Sequence, residues 1–350
     1  MRFNILYNYV DGPFGGVNQF CKALRAEFVR RDLYAGSPCQ ADVIICNSFF
    51  FRALEFYDTL FHIRLRTPKV LFIHRLDGSL RLTRNDEASR IYDEAVVAWA
   101  KLASDGIVFQ STFSMRQQYE EGIPKNIPHA VIGNAPDPSL FYPATCPPPS
   151  PPWNLVYTSW SANLKKGFPT LRWLDEHLDF SRYAMTFVGN LPEGYVFRHV
   201  RIIPPQDSAA LGEILRQQHI FVNLSHNEPC SNAILEAMHC GLPVLIRNSG
   251  GNSEFVPYGG AILYERDEDI PAILETICSQ YMTLRAALHP PDIRHIADRY
   301  LKFAEELAAT PRRKRASMLA YLRFKKQFST IMPFNPARFL SEHLRGGRNA

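Results

Sequence analysis

HNEPCSNAILEAMHCGLPVLIRNSGGNSE, the run from His226 to Glu254, contains the clearest unit of secondary structure in the chain. An apolar segment at residues 220–224 precedes it and predicts a buried strand. Apolar residues at helical spacing then predict a helix that ends at Gly241, and a second apolar strand follows Pro243. In an open parallel sheet, ligands bind at the loop that follows a strand's carboxyl end. The polar loop after residue 224 is therefore a predicted ligand site.

Short apolar runs separated by helical patterns continue through the rest of the chain. Strands that alternate with helices predict parallel sheets with helices on both faces. A proline-rich linker at residues 147–152 divides the pattern, and such a run is extended and semi-rigid. Because 350 residues are also long for one core, we predict two doubly wound α/β domains, residues 1–146 and 153–305, on either side of a central cleft.

Composition excludes several other classes of protein. The 39 basic and 34 acidic side chains leave a net charge of +5, which is too mild to indicate nucleic-acid binding. Seven scattered cysteines without a CxxC pair predict free thiols in a reducing compartment. The first residues enter a strand pattern directly, and no apolar run approaches the ~18 residues that span a bilayer. We therefore expect a cytoplasmic location.

A glycine loop follows the predicted first strand, residues 3–10. The loop contains Gly15 and Gly16, and a helical pattern begins at Val17. Strand, glycine turn and helix are how nucleotide-binding folds bring backbone N–H groups close to a phosphate. A plain tight turn is the alternative interpretation.

The opening run carries two glutamates, Glu228 before the predicted helix and Glu236 inside it. With its Gly-x-Pro-Val and Gly-Gly-x-x-Glu segments, the run resembles the signature of retaining glycosyltransferases of family 4, the group 1 glycosyl transferases. The resemblance implies a GT-B fold, with two Rossmann-like domains facing a cleft, and a nucleotide-sugar donor site in the second domain. It also implies that the final helices, residues 306–350, pack back on the first domain. The alternative is an ordinary βαβ unit with surface glutamates.

The resemblance assigns positive charge at the donor diphosphate to Lys166. This residue lies in a Lys-Lys-Gly turn like the family's Lys-Gly loop, whose lysine contacts the β-phosphate. The family usually has an arginine a few residues earlier, but here those positions hold residues 159–161, Ser-Trp-Ser. A bidentate guanidinium is not replaced by hydroxyls, so either Lys165 or Arg75 compensates or the site has a different geometry. A solvent-facing turn is the alternative.

The helix predicted within the opening run begins at Ser231, Asn232 and Ala233, whose backbone N–H groups are potential donors. The positive end of the helix dipole lies there too and favours an anion or sugar oxygens. The resemblance implies that Glu236 holds the hydroxyls of the nucleotide ribose. It places Glu228 near the transferred sugar, where it either binds hydroxyls or acts as a nucleophile.

Three candidate residues lie at the carboxyl end of the third apolar run of the first domain. His74 ends that run, so we expect it to face the cleft, and the family has a histidine near here that contacts the donor sugar. A structural histidine is the alternative. We place Arg75 and Asp77 on the acceptor side, with Asp77 binding acceptor hydroxyls.

Asp267 and Asp269 have the D-x-D spacing of a metal motif. They precede a helical stretch, where acidic residues commonly stabilise the N-terminus, so we interpret them as helix-start residues. The resembled family generally needs no metal. We therefore expect neither a metal nor another cofactor.

These features predict an enzyme that transfers a sugar from a UDP- or GDP-sugar to a saccharide or lipid-linked acceptor, with retention at the anomeric carbon, as in polysaccharide biosynthesis. The alternatives are a non-catalytic nucleotide-sugar-binding protein and a sugar phosphorylase or epimerase of similar architecture. A basic tail, residues 311–326 beside Phe324 and Phe328, predicts either a solvated helix face or peripheral contact with the inner face of an anionic membrane.

Overall fold

A computed structural model of the chain describes residues 1–47, 55–67, 69–84, 87–144, 149–311 and 317–331. Two parallel sheets dominate it. The first sheet contains β1–β5, which are Phe3–Leu6, Val43–Asn47, Leu71–Leu76, Gly106–Phe109 and His129–Val131. The second contains β6–β11, which are Trp153–Ser159, Tyr183–Gly189, Arg201–Ile203, Ile220–Asn223, Val244–Arg247 and Ala261–Tyr264.

Twelve helices join and cover these strands within the described ranges. Helices α1–α5 are Gly16–Arg30, Glu55–Arg66, Leu80–Arg84, Glu87–Ala103 and Thr112–Glu120. Helices α6–α10 are Phe168–His177, Ser208–Arg216, Asn232–His239, Ile270–Ser279 and Tyr281–Ala286. The last two, α11 and α12, are Ile293–Ala309 and Met318–Gln327. Short 3-10 turns cover Pro38–Gln40, Leu164–Lys166, Asn252–Tyr258 and Asp267–Asp269.

Burial explains why the central strands form where they do. Every residue of β1, β2, β3, β4 and β9 is buried, as expected for parallel strands that are covered on both faces. Helix α1 buries the stripe of Phe20, Leu24 and Phe28 at helical spacing. Helix α8 ends before Gly241, whose φ of 81° is left-handed, and Pro243 then leads into β10.

Strand order creates a crevice in the second sheet. The order is β11-β10-β9-β6-β7-β8. Strands β7 and β8 are therefore added on one side of β6, and strands β9 to β11 are added on the other side. Such a reversal is a topological switch point, and ligands bind there, outside the carboxyl ends of the two diverging strands. The loops after β6 and β9 meet at this position. In the first sheet the described strands follow chain order, with helices on both faces.

Strand β1 ends at Leu6, although the apolar pattern predicted a strand to Val10. The side-chain amide of Asn18 binds the backbone at the far end of the predicted strand. It accepts a hydrogen bond from the Val10 amide at 3.0 Å and donates one to the Val10 carbonyl at 2.8 Å. Asn18 therefore satisfies the Val10 backbone groups outside the sheet, where the glycine loop begins.

The return of the chain to the first domain begins at α11 and not at residue 306. Residues of α11 at three- and four-residue spacing join the core around β1 and α1; they are Ile293, Ile296, Ala297, Tyr300, Phe303, Ala304 and Leu307. The predicted end of the second domain at residue 305 is therefore wrong. Of the predicted linker, residues 149–152 lie in the described part and directly precede β6.

Helix α12 also packs on the first domain. Phe324 and Phe328 are buried in its core, and the Lys325 ammonium is buried beside Asp58 at 3.1 Å. These three residues therefore cannot form the predicted membrane patch, whereas residues 312–315 of the basic tail lie outside the described residues. Among the described helices, none has the length and apolar content needed to cross a bilayer. The six cysteines of the described ranges are free thiols.

Candidate functional site

A cavity of about 300 Å³ lies at the switch point, between the two domains. The loops after β6 and β9 form one wall, and the glycine loop before α1 forms the facing wall. Nine of the twelve predicted site residues line it: Gly15, Gly16, Asp77, Lys166, Glu228, Ser231, Asn232, Ala233 and Glu236. The three that the structure does not place there are His74, Arg75 and Lys165.

The first turn of α8 contributes backbone donors to this cavity. Ser231 is the N-cap residue, and its side chain makes no capping hydrogen bond. The first amide N–H groups of a helix have no partner inside the helix, so they are available to oxygens in the cavity. Because the positive end of the helix dipole lies at the same point, an anion is favoured there.

Asn232, the first residue of α8, connects the two domains. Its side-chain oxygen accepts a hydrogen bond from Asn134 of the first domain at 2.9 Å. Gly16 lies directly against it, since a Cβ at Gly16 would fall 2.9 Å from Asn232 Cγ. The close approach of α1 to α8 therefore requires a glycine at position 16.

Lys166 supplies the only cationic side chain among the described residues that line this cavity. The 3-10 turn Leu164–Lys166 is held by buried Tyr157. The Tyr157 hydroxyl donates to the Lys166 carbonyl and lies 3.0 Å from the Ser225 hydroxyl. The Lys166 ammonium forms an ion pair with Glu228. Both side chains retain some exposure, 30% for Lys166 and 14% for Glu228, so the pair borders open space in the cavity.

Glu236 is 8% exposed and has no hydrogen-bond partner among the described residues. Burial raises the pKa of its carboxyl group to about 8, because ionisation would place a charge in a poorly solvated position. The carboxyl group still reaches the cavity wall. An unpartnered buried carboxyl group of this kind is suited to accept hydrogen bonds from a ligand.

A buried polar network backs the first-domain wall. The Arg75 guanidinium is 1% exposed and donates to Asn47 at 2.6 Å, to Asp77 at 2.9 Å and to Asn134 at 2.7 Å. Gln110 donates to Asp77 at 2.6 Å and accepts from Asn134 at 3.0 Å. Asp77 and Gln110 face the cavity, while Arg75 lies behind them.

The structure corrects the placement of Arg75 and Lys165. Two of the Arg75 nitrogens already donate to first-domain oxygens, so Arg75 does not take the place of the missing donor-site arginine. The Lys165 ammonium donates to the carbonyl of Leu82, across the gap between the domains, and its side chain is exposed. Because adjacent residues of the turn point in different directions, only Lys166 reaches the cavity.

His74 does not face the cleft as predicted. It is fully buried, and neither ring nitrogen has a partner among the described residues. Burial lowers the pKa of its imidazole to about 3. Successive residues of a strand point to opposite faces of the sheet. His74 therefore points to the same face as Phe72 and Leu76, whereas Arg75 points to the other face and packs against Phe20.

Asp267 and Asp269 lie outside the cavity. Asp267 accepts from Thr170 at 2.9 Å and pairs with Arg247, while Asp269 pairs with Arg266 at 2.8 Å. In the described part of the chain, no three His, Cys, Asp or Glu side chains are grouped so that they could hold a metal ion. The expectation that the protein needs no metal stays a prediction.

Several functional positions were not predicted from the sequence. Gln110 and Asn134 follow β4 and β5, so a polar residue just after a short apolar run was a usable signal. Glu254 accepts hydrogen bonds from the amides of Thr112 at 2.9 Å and Phe113 at 2.8 Å, and it thereby binds the start of α5 across the domain gap. No local pattern indicates that contact.

Comparison with known proteins extends these observations. Residues 196–279, about a quarter of the chain, match the family model described as glycosyl transferases group 1. No curated protein sequence matches the chain significantly. The solved structure of Alr3699/HepE from Anabaena in complex with UDP-glucose is similar over 88% of this chain and 98% of its own, with a TM-score of 0.62 and 15% identity.

The fold is GT-B. WaaG, a glycosyltransferase involved in lipopolysaccharide biosynthesis, is similar over 95% of this chain and 100% of its own, with a TM-score of 0.57 and 14% identity. AviGT4, a glycosyltransferase involved in avilamycin A biosynthesis, is similar over 86% and 92%, with a TM-score of 0.55 and 15% identity. The predicted GT-B fold is confirmed, and the group 1 match within the second GT-B domain supports the family resemblance.

Proposed function

We propose that this protein is a glycosyltransferase that uses a UDP-sugar donor. The observation that carries the proposal is the convergence, in one interdomain cavity, of Lys166, Glu228, Glu236 and the first turn of α8. Similar GT-B structures contain UDP-glucose or UDP, which supports a nucleotide-sugar ligand. The group 1 match over residues 196–279 includes Glu228 and Glu236.

The chemistry of transfer explains the need for these groups. As the bond between sugar and diphosphate lengthens, the sugar gains oxocarbenium character and the diphosphate gains negative charge. Lys166 and the N–H groups of α8 stabilise that charge, while Glu236 holds the ribose hydroxyls. A bound diphosphate competes with Glu228 for the Lys166 ammonium. Donor binding therefore releases Glu228, which then binds the hydroxyls of the transferred sugar.

Retention at the anomeric carbon is the second part of the proposal. Glu228 either forms a glycosyl intermediate as a nucleophile or only holds hydroxyls while the leaving phosphate takes the acceptor's proton. The acceptor, a saccharide or a lipid-linked glycan of polysaccharide biosynthesis, enters beside Asp77 and Gln110. The anomeric configuration of the product, read by NMR, tests retention, and a sugar adduct on Glu228 in mass spectra would identify the nucleophilic route.

Product analysis tests the function directly. The protein is incubated with UDP-glucose, GDP-mannose and ADP-glucose, and the released nucleotide is quantified together with the thermal shift that each donor causes. We expect a thermal shift and slow release of UDP from UDP-glucose. A sugar phosphate would indicate a phosphorylase, and an isomerised donor would indicate an epimerase.

A non-catalytic nucleotide-sugar-binding protein is the second candidate function. Trp160 stands in the segment where the resembled family has an arginine, and Lys166 is the one cation among the described cavity residues. Fewer positive charges stabilise a leaving diphosphate less well. Tight binding of UDP-glucose without release of UDP, with or without added saccharides, would favour this candidate.

We expect Glu236 to make nucleotide binding depend on pH. Ribose hydroxyls donate to an ionised carboxylate, so UDP-glucose affinity should rise about tenfold per pH unit up to about pH 8 and then level off. Binding at pH 7 should release one proton. Glu236→Gln should abolish both effects and weaken binding at least tenfold at pH 8.5. Calorimetry in buffers of different ionisation enthalpy measures the affinity and the proton release together.

Protein stability provides an independent readout of the same group. The folded protein keeps the Glu236 proton up to about pH 8, whereas an unfolded glutamate loses it near its ordinary value of 4.5. The unfolding free energy should therefore fall as pH rises between these values, and Glu236→Gln should reduce that fall. Glu193→Gln, at an exposed residue outside the cavity, is the control. An unchanged proton release in Glu236→Gln would contradict the assignment.

We expect Gly16→Ala to disturb the start of α8. A methyl group there displaces Asn232 and breaks its hydrogen bond with Asn134, so backbone donors move away from the diphosphate. Since small displacements at a reacting centre are costly, turnover of UDP-glucose should fall about tenfold or more. Gly36→Ala, where a Cβ meets nothing within 4 Å, is the matched control. Equal activity of the two variants would contradict the proposed contact.

A further inference from the structure

One wall of the cavity is aromatic, and the chemistry proposed so far does not use it. Trp160 is the first residue after β6, at the switch point, and its side chain reaches across the gap to the glycine loop. The indole N–H donates to the Pro13 carbonyl at 2.6 Å. The indole also packs against the Phe14 ring, with centroids 5.0 Å apart and planes at 59°. We call Phe14 and Trp160 the aromatic wall.

The aromatic wall is held in place before any ligand binds. The Trp160 carbonyl accepts a hydrogen bond from Asn190 at 2.6 Å, which fixes the backbone on the second-domain side. On the first-domain side, Gln19 donates to the carbonyls of Gly12 and Phe14 at 3.4 and 3.3 Å. Both ends of the contact are therefore anchored, and little conformational entropy remains to be lost when a ligand packs there.

The indole remains open to the cavity. Trp160 is 47% exposed, whereas Trp99 and Trp153 are buried and Trp173 is partly buried against the second-domain core. An exposed aromatic ring in a cavity wall is an apolar surface that a ligand can cover. Gln19, Asp77 and Gln110 line the same cavity and carry polar side chains.

The electrostatics of the ring limit what can cover it. The face of an aromatic ring carries partial negative charge, so it repels the diphosphate that an arginine in this segment would attract. A pyranose ring is uncharged and has a C–H face bordered by hydroxyl groups. Its C–H face can pack on the indole while its hydroxyls turn toward polar side chains of the same cavity, among which are Asp77 and Gln110.

We propose that Phe14 and Trp160 form a platform for a neutral sugar ring, and that Trp160 determines sugar affinity and not diphosphate affinity at this site. The inference rests on the proposed function only for the location of the donor. The ring that it binds comes either from the donor's own sugar or from the acceptor, and both present the same C–H face.

The test separates the sugar from the nucleotide. Affinities for UDP and UDP-glucose are measured by calorimetry for the wild type, Trp160→Ala and Trp160→Phe. Methyl glucoside and methyl galactoside are titrated separately, in the presence of UDP, with binding followed by tryptophan fluorescence for the wild type and by calorimetry for the variants. We expect Trp160→Ala to weaken binding of the sugar ring about 10-fold, whereas UDP affinity changes less than twofold.

Each arm of the test has a defined meaning. A loss confined to UDP-glucose identifies the donor's sugar as the occupant, and a loss confined to the methyl glycosides identifies the acceptor. Trp160→Phe keeps an aromatic face but lacks the N–H group, so it should retain sugar affinity within about threefold of the wild type. If Trp160→Phe loses as much affinity as Trp160→Ala, the residue acts only through its bond to Pro13 and the platform is overturned.

Two further outcomes would also overturn the platform. One is an equal loss of UDP and UDP-glucose affinity in Trp160→Ala, which would place the nucleotide on the ring. The other is unchanged affinity for every sugar. Failure of the proposed function gives a different result. The wild-type protein would then release no UDP from UDP-glucose, while the binding titrations would still test the platform.

Discussion

Lys166→Ala is expected to slow sugar transfer about 10²–10³-fold while weakening UDP-glucose binding less than tenfold. The ammonium is the one cationic side chain among the described residues of the cavity, so no neighbouring side chain can replace its charge as the diphosphate leaves. In the ground state the same ammonium is already paired with Glu228, and part of its attraction for a donor is offset by breaking that pair. The loss should therefore appear mainly in kcat.

Lys165→Ala is the matched control for this prediction. It removes the same side chain one position earlier, where the ammonium donates to the Leu82 carbonyl outside the cavity. We expect its kcat to stay within about threefold of the wild type, since an exposed polar contact contributes little. Steady-state release of UDP, with saturating UDP-glucose, compares the two variants. If they are equally slow, the role of Lys166 in charge stabilisation is wrong.

Asp77→Ala is expected to lower the unfolding free energy of the protein by about 3–5 kcal/mol. Arg75 is fully charged at any physiological pH and is 1% exposed, and Asp77 is its carboxylate partner at 2.9 Å. Removing the carboxylate leaves a buried cation without a counter-charge and also removes acceptors for Asn47 and Gln110. Urea unfolding followed by circular dichroism measures the loss.

Two further variants identify the cause of that loss. Asp11→Ala removes an exposed carboxylate that pairs with Lys22 at 3.1 Å, and it should change stability by less than ~0.5 kcal/mol. Adding Arg75→Met to Asp77→Ala removes the orphaned charge, so the double variant should recover part of the lost stability. If the double variant is less stable than Asp77→Ala alone, an unpaired Arg75 is not the cause.

The second domain was predictable because its signals are local. Strand, loop, helix and strand follow one another between residues 220 and 247, so apolar period and turn residues locate Glu228 and Glu236 directly. The start of α8 follows from the same pattern. The 3-10 turn at Leu164–Lys166 determines that the Lys166 side chain, and not that of Lys165, points into the cavity. The spacing of residues in the sequence cannot show which of two adjacent lysines does so.

The first domain was less predictable because its site depends on tertiary contacts. His74 and Arg75 are adjacent on β3, so their side chains point to opposite faces of the sheet. An error of one residue in the predicted strand register assigns each side chain to the wrong face. The Arg75 network gathers Asn47, Asp77 and Asn134 from three separate segments. The sequence shows polar residues near the ends of strands, but it does not show that Arg75 joins these three, and only the packing of the sheet brings them together.

The domain boundary illustrates a further limit. An apolar stripe shows that α11 is buried on one side, but it does not show which core the stripe joins. In the structure the stripe packs into the core of the first domain. The chain therefore returns to the first domain at Ile293, thirteen residues before the predicted position at residue 306.

This return gives the protein an order of assembly during translation. The face of the first sheet that carries Phe3, Val43 and Leu71 is completed by α11, which begins at Ile293, 162 positions after β5 ends at Val131. At synthesis rates of roughly 5–20 residues per second, that interval is roughly 10–30 seconds. During it, the nascent first half exposes an apolar groove while the second half acquires its complete core. The domain that is synthesised second is therefore the first that can finish folding.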